Sequence, residues 1–244
     1  MNARSRSDDS PLARGFYTVG EAARLIPKAS SARIRNWLTD YHGEEPPLID
    51  REYDPINNKQ ELSFLDLMEV RFVEYFRNNG VSVRSLRQAS EHARKYFKTD
   101  KPFATSKFAF LTDGRNVFVE EIFKPAAKAS DDKALWGLLT DQLEMYHVIE
   151  RSLLDGVKFN PQSQIAEAWI PRPQKYPSII IDPRVAFGQP SLDSRIATGA
   201  IYESWVAENH NTADVAYWFE LPETTVREAV AFERELREQR MEAA

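Results

Sequence analysis

Arg33, Arg35 and Asn36 fall within one short segment, directly after Ser30 and Ser31. These residue types suit the reading of double-stranded DNA. An arginine fork bridges guanine O6 and N7, and an asparagine amide bridges adenine N6 and N7. A serine-capped helix start lies well against backbone phosphate. Arg51, Tyr53 and Lys59 follow in a polar segment that suits a wing reaching the flanking backbone. A structural alternative stands beside this reading. One of Arg33 and Arg35 would then be an ion-pair partner within the fold, and Tyr53 would pack the wing instead of touching phosphate.

Other chemistry is poorly provided for. The chain has 244 residues and no cysteine, which excludes disulfides and thiolate metal sites. Its histidines, His42, His92, His147 and His210, are scattered and form no HExxH-like pair. No nucleophile elbow, phosphate-cradling loop or isolated carboxylate dyad is present, so neither an enzyme nor a cofactor is expected. No stretch approaches the ~20 apolar residues that span a bilayer. The opening MNARSRSDDSPLARG lacks the apolar core of a secretory signal. The expectation is a cytoplasmic protein without a membrane partner.

The net charge of −5 hides an asymmetry. Residues 1–128 carry 21 Lys+Arg against 18 Asp+Glu, whereas 129–244 carry 11 against 19. Different partners for the two halves follow naturally from that split. The segment 71–101 is also basic, with eight Lys+Arg against three acids.

The elements that must position these residues are legible in outline. Thr18 and Glu21 form a capping-box pattern ahead of a short helix through Leu25 and Ile26, which Pro27 limits. Ser30 or Ser31 caps a second helix with Ile34, Trp37 and Leu38 on its apolar face. The pair is a helix-turn-helix candidate. HGEEPPLIDREYDPINNKQELSF reads as a hairpin or loop, a wing, with short apolar runs at Leu48–Ile49 and Leu62–Phe64. Leu65, Met68, Phe72, Val73 and Phe76 then recur at helical spacing up to Gly80, and a further helix starts near Ser82. Phe108 to Glu120 predicts a β-hairpin about Asp113–Gly114, a dipeptide favoured in type I′ turns. Leu135 to Leu154 suggests a helix or broken helical stretch, and Ala168 to Pro173 an extended strand. Ile179–Ile181 predicts a short strand. Three helices follow: Thr198 to Asn209 with Ile201, Trp205 and Val206 inward, one capped by Thr212, and one from about Glu223 with Val226, Val230 and Ala231 inward. The fold class expected is mainly α with small β elements.

Two resemblances organise the chain further. YTVGEAARLI, SSARIRNWL, the wing and ELSFLDLMEVRFVEYFRNNGVSVRSLRQA together resemble the winged helix-turn-helix of MerR-type regulators. The matching positions are Tyr17, Val19, Glu21, Ala22 and Ala23; Arg35 and Trp37; Arg51 and Tyr53; Leu65, Asp66 and Leu67; and Arg77, Gly80, Val81, Ser82 and Val83. Near the other end, IIIDPRVAFGQPSLDSRI and the helices after it resemble a small domain of antitoxins paired with PIN-like toxins, with Asp182, Pro183, Gly188, Pro190, Arg195 and Ile196 in the pattern. The combination looks like a two-domain VapB-type antitoxin. It implies a flexible tail over 1–15, a MerR-like domain with hairpin over 16–123, a linker and connector over 124–175, an antitoxin-type domain over 176–238 and a tail over 239–244.

The resemblance implies an antitoxin that binds and neutralises a cognate PIN-like toxin ribonuclease and binds operator DNA to repress its own operon. The acidic second half suits a basic, RNA-handling partner. Asp182 and Arg195 are candidates for toxin contact or for shaping their loop, Arg195 then pairing with Asp182 or Asp193. The alternative is a stand-alone MerR-like regulator whose 98–175 region senses a ligand. Reading a palindromic operator calls for a homodimer. Its interface would be the C-terminal domain, the middle hairpin or the Leu135–Leu154 stretch.

Overall fold

Capping side chains set where the helices begin in a computed structural model of the chain, which describes residues 14–39, 46–54, 59–106, 108–112, 117–121, 147–148 and 155–242. Helix α1 (Val19–Leu25) starts in a full capping box. The Thr18 hydroxyl accepts from the Glu21 N–H at 3.2 Å, and Glu21 Oε2 accepts from the Thr18 N–H at 2.7 Å. Helix α2 (Ser31–Trp37) is capped by Ser30, so Ser31 is its first helical residue. Helix α3 (Phe64–Asn78) starts in a second capping box, from Ser63 and Asp66. Helix α4 (Val83–Phe97) starts after Ser82. Between α3 and α4 the chain reverses at Gly80, whose φ of +88° is open to glycine at little cost.

The β elements are small. Strand β1 (Tyr17–Thr18) pairs antiparallel with β2 (Glu61–Leu62). Among the described residues of the expected wing, β2 returns to pair with the N-terminal segment, and Lys59 stands in a single β-bridge. Leu48 and Ile49 do not extend as a strand; they are buried, and the Ile49 N–H donates to the Trp37 carbonyl at 3.0 Å. Residues 40–45 and 55–58 of that region lie outside the described residues.

Strands β3 (Phe108–Thr112) and β4 (Val117–Glu121) form the expected hairpin. Their described register ends at Thr112 opposite Val117. Residues 113–116 themselves lie outside the described residues. Strand β5 (His147–Val148) pairs with β3, in a stretch whose apolar pattern predicted helix. The rest of Leu135–Leu154 lies outside the described residues. Strands β6 (Val157–Phe159) and β7 (Ala166–Trp169) pair antiparallel. The strand expected over Ile179–Ile181 is reduced to single bridges, Ile181 to Trp169 and Ile180 to Ser191.

Helices α5 (Thr198–Ala207), α6 (Thr212–Phe219) and α7 (Glu223–Glu242) complete a chain that is mainly α with small β elements. Three details depart from the apolar pattern. Asn211, not Thr212, caps α6, its side-chain oxygen accepting from the Ala213 and Asp214 N–H groups. Val206 faces outward. On α7 the buried alanine is Ala229, and Ala231 is exposed, because Ala229 shares the face of Val226 and Phe232. No helix among the described residues is long and apolar enough to cross a membrane.

One apolar cluster runs from Ala22 and Ile34 through Phe64, Val73 and Phe76 of α3 to Ile201, Val226 and Phe232. Helix α1 packs on α7. A second tie joins the same ends of the chain. The buried Tyr17 Oη donates to the Gly188 carbonyl at 2.8 Å, and the Phe16 N–H to the Phe187 carbonyl at 3.0 Å. Gly188 has φ +82°, and a Cβ there would lie 2.2 Å from Tyr17 Oη. Ala186 and Phe187 precede it at φ +47° and +57°, so the turn under Tyr17 is left-handed over three residues.

Candidate nucleic-acid interface

The short helix α2 buries Ile34 and Trp37 and turns Arg35 and Asn36 outward. Its roll is fixed by the third basic candidate. Arg33 Nη2 donates to Glu74 Oε1 of α3 at 2.6 Å and also to the Lys28 carbonyl. Glu74 is buried, and its Oε1 additionally accepts from Asn78 Nδ2 at 3.0 Å. Burial pushes the Glu74 carboxyl up from its ordinary value, and Arg33 opposes that shift. Arg33 is thus an ion-pair partner within the fold, as the structural alternative described, while its side chain remains 41% exposed.

The other candidates sort in the same way. The Ser30 hydroxyl is occupied as the cap, accepting from the Arg33 N–H at 3.3 Å. Ser31 is half-buried in the first turn. Arg51 is half-buried, with Nη1 enclosed and without a partner among the described residues. The Tyr53 hydroxyl donates to the Gly15 carbonyl at 2.5 Å, and burial raises its pKa. Tyr53 thus packs onto the segment before β1, where the alternative had it packing the wing. Arg35 and Lys59 remain together. They line one depression of about 330 Å³ with Thr18, Gly20, Gln60 and Glu61, at the pairing of β1 and β2. Arg35, Asn36 and Lys59 are exposed, and none of their side chains has a hydrogen-bond or ion-pair partner among the described residues.

The basic segment 71–101 contributes less free charge than its composition suggests. Arg77 Nη1 donates to the Val81 carbonyl at 2.5 Å, and Arg94 Nη2 to the Leu48 carbonyl at 3.5 Å. Arg87 reaches the Pro46 carbonyl. Arg71 lies over the Trp169 ring, 5.3 Å from its centroid, and burial lowers its pKa to about 10. Lys101 enters the fold to meet Asp66, the Asp50 carbonyl and, at 3.9 Å, Glu69. Glu69 is fully enclosed; burial pushes its carboxyl up to about 7, against the pull of Lys101 and Arg94. The contacts of Arg87, Arg94 and Lys101, with the Glu52 N–H donating to Asp66 Oδ2 at 3.1 Å, hold the 46–54 segment against α3 and α4. They could not be found from composition, because a solvated and an internal arginine look alike in sequence.

The loop at Asp182 is built differently from the expectation. Arg184 Nε and Nη2 donate to Asp182 Oδ1 and Oδ2 at 2.9 and 2.8 Å, a two-point pair across two residues. Burial pushes the Asp182 carboxyl up, but the hydrogen bonds from Arg184 outweigh it and hold the group below its ordinary range. Arg195 is exposed with φ +66° and acts on Asp182 only through its charge. The partner is Arg184 because the Asp-Pro turn brings residues 182 and 184 together locally. No group of three or more potential metal ligands occurs among the described residues.

Two further aromatic side chains stand out, and the sequence reading passed over them. Tyr217 and Trp218 of α6 are 79% and 69% exposed. The available signal was the unbroken apolar run Val215 to Phe219, longer than one buried face of a surface helix needs.

No protein-family model matches the chain, and no curated protein matches it. Its fold is similar to the crystal structure of Rv2018 from Mycobacterium tuberculosis, with a TM-score of 0.61 and 20% identity, over 91% of this chain and 98% of that one. At that identity the likeness concerns the fold alone.

Proposed function

We propose that the protein is an antitoxin that binds and neutralises a cognate PIN-like toxin ribonuclease and, as a homodimer, binds operator DNA to repress its own operon. The observation that carries the DNA half is the division of labour on α2. Arg33 is tied down to Glu74, while Arg35, beside Lys59, and Asn36 are exposed and without side-chain partners among the described residues. An anchored helix that presents one arginine and one asparagine has the donors that major-groove readout needs. The toxin half is supported by the resemblance of 179–232 to antitoxin domains and by the acidic charge of 129–244, which favours a basic partner.

The test is to tag this chain alone, express it with the product of the adjacent gene, and ask whether that product follows at defined stoichiometry and loses its toxicity. A gel shift with the DNA upstream of its own gene tests the other half. Capture with suppressed toxicity and a specific shift is the expected result. A shift without capture would replace the proposal with a stand-alone regulator.

A further inference from the structure

Helix α6 buries Val215 and Ala216 and is anchored at both ends, by the Asn211 cap and by Glu220 in the left-handed region. Its opposite face carries Asp214, Tyr217 and Trp218 at positions i, i+3 and i+4. Among the described residues, Tyr217 and Trp218 are the most exposed large hydrophobic side chains. Their rings stand 5.9 Å apart and nearly perpendicular, at 72°. Neither ring belongs to the apolar cluster, so the fold does not need them. Exposed aromatic pairs of this kind are the residues that anchor protein interfaces.

The charge around them narrows the occupant. From residue 196 to 226 there is no lysine or arginine, while Glu203, Glu208, Asp214, Glu220 and Glu223 are all exposed, Glu223 alone of them pairing with a cation among the described residues, Arg227 one turn on. Helices α5 and α6 therefore form a helix-turn-helix succession whose surface repels phosphate. A second copy of the same acidic surface would also be repelled. We infer that the Tyr217–Trp218 face of α6 is the docking surface for a protein partner with an apolar pocket inside a basic rim. The identity of that partner as the toxin rests on the antitoxin reading above; the surface assignment rests on exposure and charge.

The experiment uses the full tagged chain and, as probe, the product of the adjacent gene. Tyr217→Ala/Trp218→Ala is expected to raise the Kd for that protein by about thirtyfold or more. Thermal unfolding and the operator shift should stay at wild-type values, because neither ring is in the apolar cluster and neither is on α2. Glu220→Lys/Glu223→Lys is expected to slow association by about tenfold at low salt and to flatten its salt dependence. Wild-type capture that survives the aromatic double substitution overturns the surface and leaves the antitoxin reading intact. Failure of the wild type to capture the protein overturns both. A dimer that becomes a monomer while capture persists, or an operator shift lost while capture persists, overturns the assignment in favour of self-association or nucleic acid.

Discussion

Arg33 and Arg35 lie two positions apart and have opposite fates, because α2 turns one toward α3 and the other toward solvent. Their substitutions should separate cleanly. Arg35→Ala is expected to weaken operator binding by ~1–3 kcal/mol and to relax preference at one base position, with the melting temperature unchanged. Arg33→Ala should instead destabilise the fold by roughly 1–3 kcal/mol in chemical denaturation, since it strips the buried Glu74 of its cationic partner. Glu69 gives a second test at this scale. Its folded pKa of about 7 stands above the 4.5 of an ordinary glutamate, so the folded state binds the extra proton. Stability from this group is therefore greatest at low pH and falls as pH rises from about 4.5 through about 7, levelling above that. Glu69→Gln removes the titration and keeps an oxygen for the Phe103 N–H, so denaturation midpoints across that window should vary less with pH than in the wild type.

Helix starts were legible in the sequence because a cap and its partner are three residues apart; Thr18 with Glu21 and Ser82 ahead of α4 are of this kind. The partners of Arg33, Tyr53 and Asp66 were not. Arg33 meets Glu74 across 41 residues, Tyr53 meets Gly15 across 38, and Lys101 meets Asp66 across 35. Local spacing carries no signal for such pairs. Arg35, Asn36 and Lys59 were named from their residue types; the sorting of free from internal charge had to wait for tertiary contacts. The wing shows the same limit, since β2 finds a partner in β1, far back in the chain. The β1 segment also makes a testable joint with the left-handed turn at 186–188. Gly188→Ala forces a Cβ to 2.2 Å from Tyr17 Oη at φ +82° and is expected to cost about 2–4 kcal/mol. Tyr17→Phe alone should cost about 1 kcal/mol for the lost hydrogen bond. In the Tyr17→Phe background Gly188→Ala should cost less than in the wild type, a coupling that a double-mutant cycle reads directly.

At the scale of the whole molecule, the two ends of the chain share one apolar cluster through α1, α3 and α7. Calorimetry is accordingly expected to show one transition in which the calorimetric and van't Hoff enthalpies agree for the described core; two resolved peaks would show that the ends melt separately. The charge split becomes a division of surfaces, with cationic donors on α2 and acids around α6. The bond from Tyr17 to Gly188 spans 171 residues, and that length has a consequence for newly made chains. At about 5–20 residues per second, roughly 10–30 s pass between the synthesis of the tyrosine and the synthesis of its acceptor. Until then the first strand has its local partner at residues 61–62 but no cover from the turn. Nascent chains stalled before residue 188 should be cut by protease near Tyr17 at sites that the finished chain protects.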